Sequence, residues 1–503
     1  LSLETTIMKL LNKKQIRDWD NYTIRSKDIS SFELMKQASV AFSHWFQTLF
    51  FDFSREVIIL CGPGNNGGDG LCVSKILEEN GYQVTTYLFL IGSKQSTDNK
   101  LAESLCEKVI IQDKGDLPSL PSEAIIIDAL LGSGISGKLR EPYSSMVSHL
   151  NTLPNTIVSI DISSGLDTDG RQEGIAVQAD FVLSFEIPKR AFFYKENQKY
   201  IGSWSYRGIG LLNEYLLEAK SPYHYLDRKW IKNKVRKRAS ESSKIQFGFG
   251  QLCGGSEGMY GAVILAARAA MRCGLGRLAV SLPKKYEAHF IAAVPEAMTN
   301  AKDTGKALVA FRKANRNINV VAAGPALGMN EDSIAFMDSL LMEQHQNLVL
   351  DADALNIISR QKWQSRIPKN TILTPHEGEF ERLFGSCEDH YSRVQLQIQK
   401  SKELKILIVL KGKHTSITSP EGDCYFNATG NVGMATGGSG DVLTGMIMSF
   451  LAQGYSPLDA CCLGVYTHGA SGDQARLKYG EVSLIASDII EFIPESIKNI
   501  YGS

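Results

Sequence analysis

The chain has 503 residues, and that length exceeds one ordinary core, so two or three domains are expected. It is 43% hydrophobic and 21% charged, the proportions of a soluble globular protein rather than a membrane-spanning or disordered one. Its 54 basic and 54 acidic residues cancel, which leaves no global field to draw it onto nucleic acid or acidic lipid.

The opening stretch "LSLETTIMKLLNKKQIRDWD" lacks an apolar run of signal-peptide length, and no later run reaches transmembrane length. Met8 followed by Lys9 reads as a natural start. The nine cysteines form no C-x-x-C pair, and adjacent Cys461 and Cys462 make a poor geometry for an unstrained bridge. Reduced thiols and a cytoplasmic location are expected.

From Val57 onward, β-branched runs alternate with amphipathic segments. Strands are predicted at Val57–Leu60, Val84–Phe89, Ala124–Asp128, Thr156–Asp161 and Phe181–Phe185, with helices between them such as Gly70–Asn80 and Tyr143–Leu150. That alternation implies βαβ units around a mainly parallel sheet. The pattern breaks at residues 221–243, where seven Lys or Arg fall between Arg228 and Arg238 with little apolar periodicity. A solvated basic linker is expected there rather than a nucleic-acid patch, because the net charge is balanced. It separates a first domain, residues 1–220, from a second, residues 244–503. The second series has strands predicted at Phe247–Cys253, Arg277–Leu282, Asn319–Ala323, Leu348–Asp351, Thr371–Thr374 and Ile406–Lys411, and a last apolar helix at Asp441–Gln453.

The first chemical motif is "EVIILCGPGNNGGDGLCVSKIL". Gly62, Gly64 and Gly67 spell the G-x-G-x-x-G of a dinucleotide-binding turn. Such a turn needs an acid at the end of the next strand for the ribose hydroxyls, and "YQVTTYLFLIGS" ends without one. The glycines still let amides approach an anion at a helix N-terminus. Asn66 and Asp69 add side-chain oxygens for a second task. Two further strand ends join the turn: "IIIDALLGSGISGKLREP" with Asp128, and "IVSIDISSGLDTDG" with Asp161 and Ser164. In a parallel sheet these loops emerge at one carboxyl edge, where ligands of open α/β folds bind. Either Asp alone reads as a helix cap. Three oxygen-rich loops together point to a hard cation such as K⁺, Na⁺ or Mg²⁺.

"GPGNNGGDG", "DALLGSGISGKLREP" and "SIDISSGLDTDG", with "SFELMKQAS" near the start, resemble the N-terminal domain of the NAD(P)H-hydrate epimerases. The resemblance implies a Rossmann-like three-layer sandwich. It implies that Asn65, Asn66, Gly67, Gly68 and Asp69 line the site for the hydrated nucleotide, with the loop Gly132, Ser133, Gly134, Ile135, Ser136, Gly137 and Lys138. Asp161 would hydrogen-bond the substrate near the reacting carbon and shuttle a proton on its hydroxyl. Asn66, Asp128 and Ser164 would coordinate K⁺. Ser163 stands where the family usually has proline.

In the second half, "GNVGMATGGSGDVLTGMIMSFLAQG" sets Gly437, Gly438 and Gly440 ahead of Asp441. Val442, Leu443, Met446, Ile447, Phe450 and Leu451 then give one helical face to a core. Backbone amides before such a helix form an anion hole for a transferring phosphoryl group. An Asp at the first turn sits where a general base takes a proton from an attacking hydroxyl. An N-cap Asp on a buried helix is the plainer alternative.

This stretch resembles the glycine–Asp signature of ribokinase-like small-molecule kinases. "SEGMYGAVILAARAAMRCGLG", "AAGPALG", "LVLDADALN", "ILTPHEGEFERLFG" and "VLKGKHTSI" follow in the order found in ADP/ATP-dependent NAD(P)H-hydrate dehydratases. The resemblance implies a ribokinase-like three-layer α/β domain in which Ala262, Gly328, His376 and Asp441 contact the hydrated nucleotide. Lys411, Gly412, Lys413, His414 and Thr415, with Gly440, would hold ADP or ATP with its Mg²⁺. His376, Glu377 and Glu379 make a polar cluster able to position a sugar or the waters of Mg²⁺. Two positions depart from the family pattern: Ala326 replaces a glycine of "GPGLG", and Ser243-Lys244-Ile245 stands for His-Lys-Gly.

Together the resemblances imply one bifunctional enzyme. The first domain would interconvert the R and S forms of NADHX and NADPHX. The second would dehydrate the S form to NADH or NADPH by phosphorylating the ring hydroxyl and eliminating phosphate. A homo-oligomer, tetrameric or larger, is implied as well, with no nucleic-acid or membrane partner. One rival reading is a vitamin or sugar kinase with a nucleotide-binding appendage. Another is a non-catalytic RNA-decay scaffold, against which Asn65, Asn66, Asp69, Asp128 and Asp161 are all intact.

Overall fold

The computed structural model describes residues 7–91, 94–134, 137–302, 318–343 and 347–501. The chain separates into two compact units, Lys9–Ser221 and Pro222–Ser503 with Leu1–Met8. Among the described residues, no helix is long and apolar enough to cross a membrane.

The first unit opens with helices α1 (Lys13–Lys27) and α2 (Ser31–Leu49). Each starts with a reciprocal capping box, Asn12 with Gln15 and Ser30 with Glu33. Strands β1 (Val57–Cys61), β2 (Val84–Phe89), β3 (Ile110–Gln112), β4 (Ile125–Ala129), β5 (Thr156–Ile160), β6 (Phe181–Phe185) and β7 (Ser203–Arg207) follow. They form one parallel sheet in the order β3-β2-β1-β4-β5-β6-β7. The order reverses between β1 and β4, and a ligand-binding crevice opens at such a switch point. Both central strands are buried along their whole length, as parallel strands covered on two faces must be. The turn after β1 feeds helix α3 (Asn65–Glu79) directly. A Cβ on Gly67 would lie 1.8 Å from the Gly62 carbonyl oxygen, so only glycine lets this turn close. Every predicted strand of the unit forms. Edge strands β3 and β7 add to the prediction; Ile110 and Ile111 are exposed, and "SWSYR" is at most half-buried, so neither makes an apolar run.

The second unit contributes β8 (Tyr223–Tyr225), helix α4 (Arg228–Lys234), β9 (Phe249–Cys253), helix α5 (Gly261–Arg272), β10 (Arg277–Pro283), β11 (Met298–Lys302), β12 (Val320–Ala323), β13 (Leu348–Leu350) and β14 (Ile372–Leu373). Helix α6 (Glu377–Phe384), β15 (Leu407–Leu410), β16 (Ser416–Thr418), β17 (Cys424–Phe426) and helix α7 (Ser439–Ala452) complete its site-bearing part. The strands run in the order β8-β17-β16-β15-β14-β13-β12-β9-β10-β11. The pairs from β15 to β11 are parallel, while β16 pairs antiparallel with both β15 and β17. Helices α5 and α7 pack so closely that a Cβ on Gly445 would lie 2.0 Å from the Ala266 carbonyl oxygen.

Residues 221–243, expected as a solvated linker, carry structure of their own. β8 pairs in parallel with β17, and α4 buries Trp230 and Ile231 in the core of the second unit. The basic groups do stay outward. Lys234 pairs with Asp459 at 2.9 Å, and the Arg236 guanidinium covers the Tyr455 ring at 4.5 Å. A seven-residue helix with two buried apolar residues is too short to register as periodicity, so the segment reads as polar although it is anchored.

All nine cysteines are free, and seven are buried. Burial pushes the Cys106 thiol up to about 11 and the Cys72 thiol to about 12.

Candidate active sites

A cavity of about 670 Å³ opens at the carboxyl edge of the first unit's sheet. That volume is in the range of small-molecule sites. Asn65, Asn66 and Asp69 from the start of α3 line it, with Gly132, Ser133 and Gly134 from the loop after β4 and Asp161 after β5. Gly67 and Gly68 are buried in the first turn of α3, and Asn99 ties that turn by donating to the carbonyls of Gly62 and Gly64. Gly137 takes φ +74°, and Lys138 is exposed beside it. Ile135 and Ser136 lie outside the described residues.

Asp161 has left-handed backbone, φ +65°, which turns its side chain back over the strand end. Its Oδ1 accepts from the Phe185 amide at 2.9 Å and from the Lys189 ammonium at 2.7 Å. Lys189 is fully buried and also reaches the Phe185 carbonyl. One carboxylate oxygen is thus held by two donors, which leaves Oδ2 for a ligand. Asp69, on the facing helix, is pushed well up by burial and by the negative charge of Asp161.

Asp128 does not face the cavity. It is wholly buried and accepts from the Ser159 hydroxyl, the Ser164 amide and hydroxyl, and the Leu130 amide. Burial still pushes its carboxyl up. The Ser164 hydroxyl also accepts from the Leu131 amide, which fixes the two loops to each other. Nearby, the Asn66 amide nitrogen is buried without a partner.

In the second unit, Asp441 occupies the first turn of α7, whose N-cap is Gly438 at φ +90° with no side-chain acceptor on the helix start. Burial, then the charge of Asp351, pushes the Asp441 carboxyl up to about 7. Lys411 closes β15 and pairs with Asp351 at 2.8 Å; Glu379 lies 3.9 Å from the same ammonium. Burial pulls Lys411 down, but Asp351 and Glu379 outweigh it and hold the ammonium charged. A Cβ on Gly440 would come within 3.3 Å of the Lys411 Nζ, so glycine there lets the ammonium reach the helix start. Thr444, one turn on, donates to the other Asp351 oxygen at 2.7 Å.

His376 caps α6. Its Nδ1 accepts from the amides of Gly378 and Glu379, and Glu379 accepts from the His376 amide. The ring is half-exposed, and its Nε2 lies 3.4 Å from the Glu379 carboxylate. Gly328, at φ +81°, donates its amide to Asp353 at 2.8 Å. Ala262 lies in the first turn of α5, the helix packed on α7. Gly412 and Lys413 are exposed, and Thr415 donates to the Gly412 carbonyl. His414 differs from these neighbours: its ring is buried, and burial drives it down to about 3, so it stays neutral.

Two family descriptions divide the chain between them: YjeF-related protein N-terminus at residues 31–191, and NAD(P)H-hydrate dehydratase at residues 251–495. The chain is 33% identical over 497 residues to the bifunctional NAD(P)H-hydrate repair enzyme Nnr of Coxiella burnetii, with 95% of this chain and 97% of that one covered. The chain belongs to the bifunctional NAD(P)H-hydrate repair enzymes. A repair enzyme of Moorella thermoacetica is 30% identical over 471 residues, covering 89% of this chain and 88% of that one. Among solved structures, a ribokinase-like superfamily protein from Enterococcus faecalis V583 matches with TM-score 0.52 and 27% identity, over 57% of this chain and 99% of that one. This repair enzyme therefore joins an epimerase domain to an NAD(P)H-hydrate dehydratase domain of ribokinase-like fold.

Four residues of these sites escaped the sequence reading of this repair enzyme. Lys189 and Asp20 flank Asp161 in the first, while Asp351 and His468 support Asp441 in the second. "EIPKRAF" after a strand and "LVLDADALN" at a strand end carried the signals for Lys189 and Asp351. His468 is buried and driven down to about 4, and its ring contacts the Ser439 carbonyl at 3.0 Å. Its signal is absent, because it reaches the site from a different helix.

Proposed function

We propose that the first unit exchanges the configuration of the hydroxyl at nicotinamide ring carbon 6, with Asp161 moving the proton on that hydroxyl. The second unit, in the same reading, uses Asp441 to deprotonate the hydroxyl of the S form as it takes a phosphoryl group from ADP or ATP. Phosphate is a better leaving group than hydroxide, and its elimination restores the dihydropyridine. The observation that carries this reading is the Asp441 carboxyl, poised near pH 7 at an uncapped helix start beside Lys411.

Substrate contacts are assigned on the same basis. Asn65, Asn66, Gly67, Gly68 and Asp69, with the loop Gly132–Lys138 and Asp161, take the hydrated nucleotide for epimerisation. Ala262, Gly328, His376 and Asp441 take it for dehydration, while Lys411–Thr415 and Gly440 hold the phosphoryl donor. Within that last set His414 acts through packing, since its neutral ring is buried. Glu377 and Glu379 face Arg393 and Lys411, which favours Mg²⁺ arriving on the nucleotide's phosphates rather than in a protein cage.

Asn66, Asp128 and Ser164 fit a monovalent cation. The available ligands are oxygens, from the Asn66 side-chain amide, the Ser164 hydroxyl and the Asp128 carboxyl, and that carboxyl is buried with no basic partner among the described residues. Potassium there would add positive charge to the edge where the cavity opens. A cytoplasmic location and a homo-oligomer of four or more chains belong to the same proposal. The test combines the protein with NADHX, Mg²⁺ and either ADP or ATP while absorbance follows returning NADH. A stable phosphorylated product without NADH would instead make the second unit a kinase, and D128N or exchange of K⁺ for Na⁺ should slow epimerisation alone.

A further inference from the structure

We propose that Asp20 is a second proton-transfer residue of the epimerase site, acting on the ring-carbon-6 hydroxyl from the α1 wall while Asp161 acts from the sheet edge. The inference rests on reading the first unit's cavity as the epimerase site. Asp20 lies upstream of the matched segment 31–191, so that match says nothing about it. Its helix is held firmly. Trp19 donates its indole N–H to the Leu212 carbonyl at 2.6 Å, and Thr23 accepts from the Leu212 amide at 3.0 Å. Those two anchors fix α1 so that Asp20 lines the cavity together with Asp161.

The acids around this cavity differ in how they are held. Asp161 is clamped by Lys189 and the Phe185 amide, and Glu186 accepts from the Ile209 and Leu211 amides. Asp20 makes no hydrogen bond or ion pair among the described residues. A half-buried carboxyl without a partner costs stability and has no structural task here. The charged groups around it are Arg17 on its own helix, Asp161 and Lys189 near the sheet edge, Glu186 after β6, and Asp69 on α3. Burial pushes its carboxyl up to about 7 against the pull of Lys189 and Arg17, and the charges of Asp161 and Glu186 add to the rise. A group so placed can both give and take a proton at neutral pH.

The step balances without any redox partner. Protonated Asp20 gives its proton to the C6 hydroxyl, the C6–O bond breaks, water leaves, and the ring-nitrogen lone pair forms C6=N1. Water then adds to C6 from the other face, and the Asp161 carboxylate takes its proton. The return reaction from the S form runs with the two roles exchanged, and a further turnover of the R form follows once solvent has returned a proton to Asp20 and removed one from Asp161.

The test uses the full-length chain with R-NADHX and no nucleotide, with the two diastereomers separated chromatographically. D20N should lower kcat by about 100-fold or more with KM changed less than about threefold, the signature of a lost acid–base group. D161N is the companion, because asparagine tolerates the left-handed backbone at that position. Dehydration of S-NADHX with ADP and Mg²⁺ should persist in both and report an intact chain. If D20N keeps more than about a third of wild-type kcat while D161N collapses, Asp20 has no proton role and the reading of the cavity stands. If neither falls, the cavity reading itself fails. Should D20N also lose dehydration, D20E decides. A reduced rate with a displaced pH limb supports the role, and a wild-type rate and profile overturns it. Epimerisation in H₂¹⁸O should also load the product with solvent oxygen beyond the uncatalysed exchange, and retention of the original oxygen would refute the bond-breaking step.

Discussion

Both units set the carboxyl proposed to do the chemistry near a lysine, but they connect the two differently. In the epimerase unit, Lys189 sits 2.7 Å from Asp161 itself, so the lysine fixes the acid's position directly. In the dehydratase unit, Lys411 sits 2.8 Å from Asp351, and burial, with Asp351 beside it, pushes Asp441 up to about 7. The contrast suits the two reactions. Moving a proton on and off one hydroxyl needs an oxygen in a fixed place, whereas deprotonating an attacking hydroxyl needs a base matched to neutral pH.

The largest expected effect comes from removing that base. D441N should lower dehydration by about 10³-fold or more and leave nucleotide-free epimerisation unchanged, measured as NADH return against diastereomer exchange. Its effect on stability should have the opposite sign. Because the folded-state carboxyl of Asp441 is raised, the protonated form favours the fold at low pH, and that contribution disappears as pH rises from the ordinary Asp range through about 7. D441N should therefore melt higher than wild type at pH 8 and gain nothing at pH 4. Equal melting shifts at both would break the comparison.

K189M comes next. It strands Asp161 at a largely buried site, so epimerisation should fall by about 100-fold and the first unit should lose roughly 3 kcal/mol in urea unfolding. A variant as stable as wild type would mean that Lys189 contributes no net pairing. D351N should have a subtler result. Removing the negative charge next to Asp441 lowers the carboxyl's pKa, so the acid limb of dehydration kcat/KM should move down from near 7 by roughly one pH unit. An unmoved or upward-moved limb would show that the charge of Asp351 does not hold the Asp441 carboxyl up. The smallest effect belongs to A326G. Ala326 holds φ +48°, where glycine is free of strain, so stability should rise by about 0.5 kcal/mol with the fold unchanged.

Legibility in the sequence followed the range of the interactions. The alternating runs located every central strand, and the glycines around Asn66 and ahead of Asp441 marked both helix starts, because those features are local. What stayed hidden depends on contacts between distant segments. Nothing around Asp20 distinguishes it from Asp18 beside it; only the anchoring of Trp19 and Thr23 to Leu212 turns Asp20 into the cavity. The loop residues His414 and Thr415 read alike in a phosphate-binding run, yet the turn between β15 and β16 buries the histidine. Ala326 was visible as a departure from a glycine pattern, and the backbone it adopts explains why glycine suits the position.

The sheltered sulfur atoms give this protein a built-in gauge of its own breathing. Alkylating reagents attack the ionised sulfur, and Cys61 in one unit and Cys461 in the other are both fully covered and held in the neutral form. Labelling at either site therefore waits for the surrounding layer to open, and the two labelling rates report the transient loosening of each half independently within a single molecule.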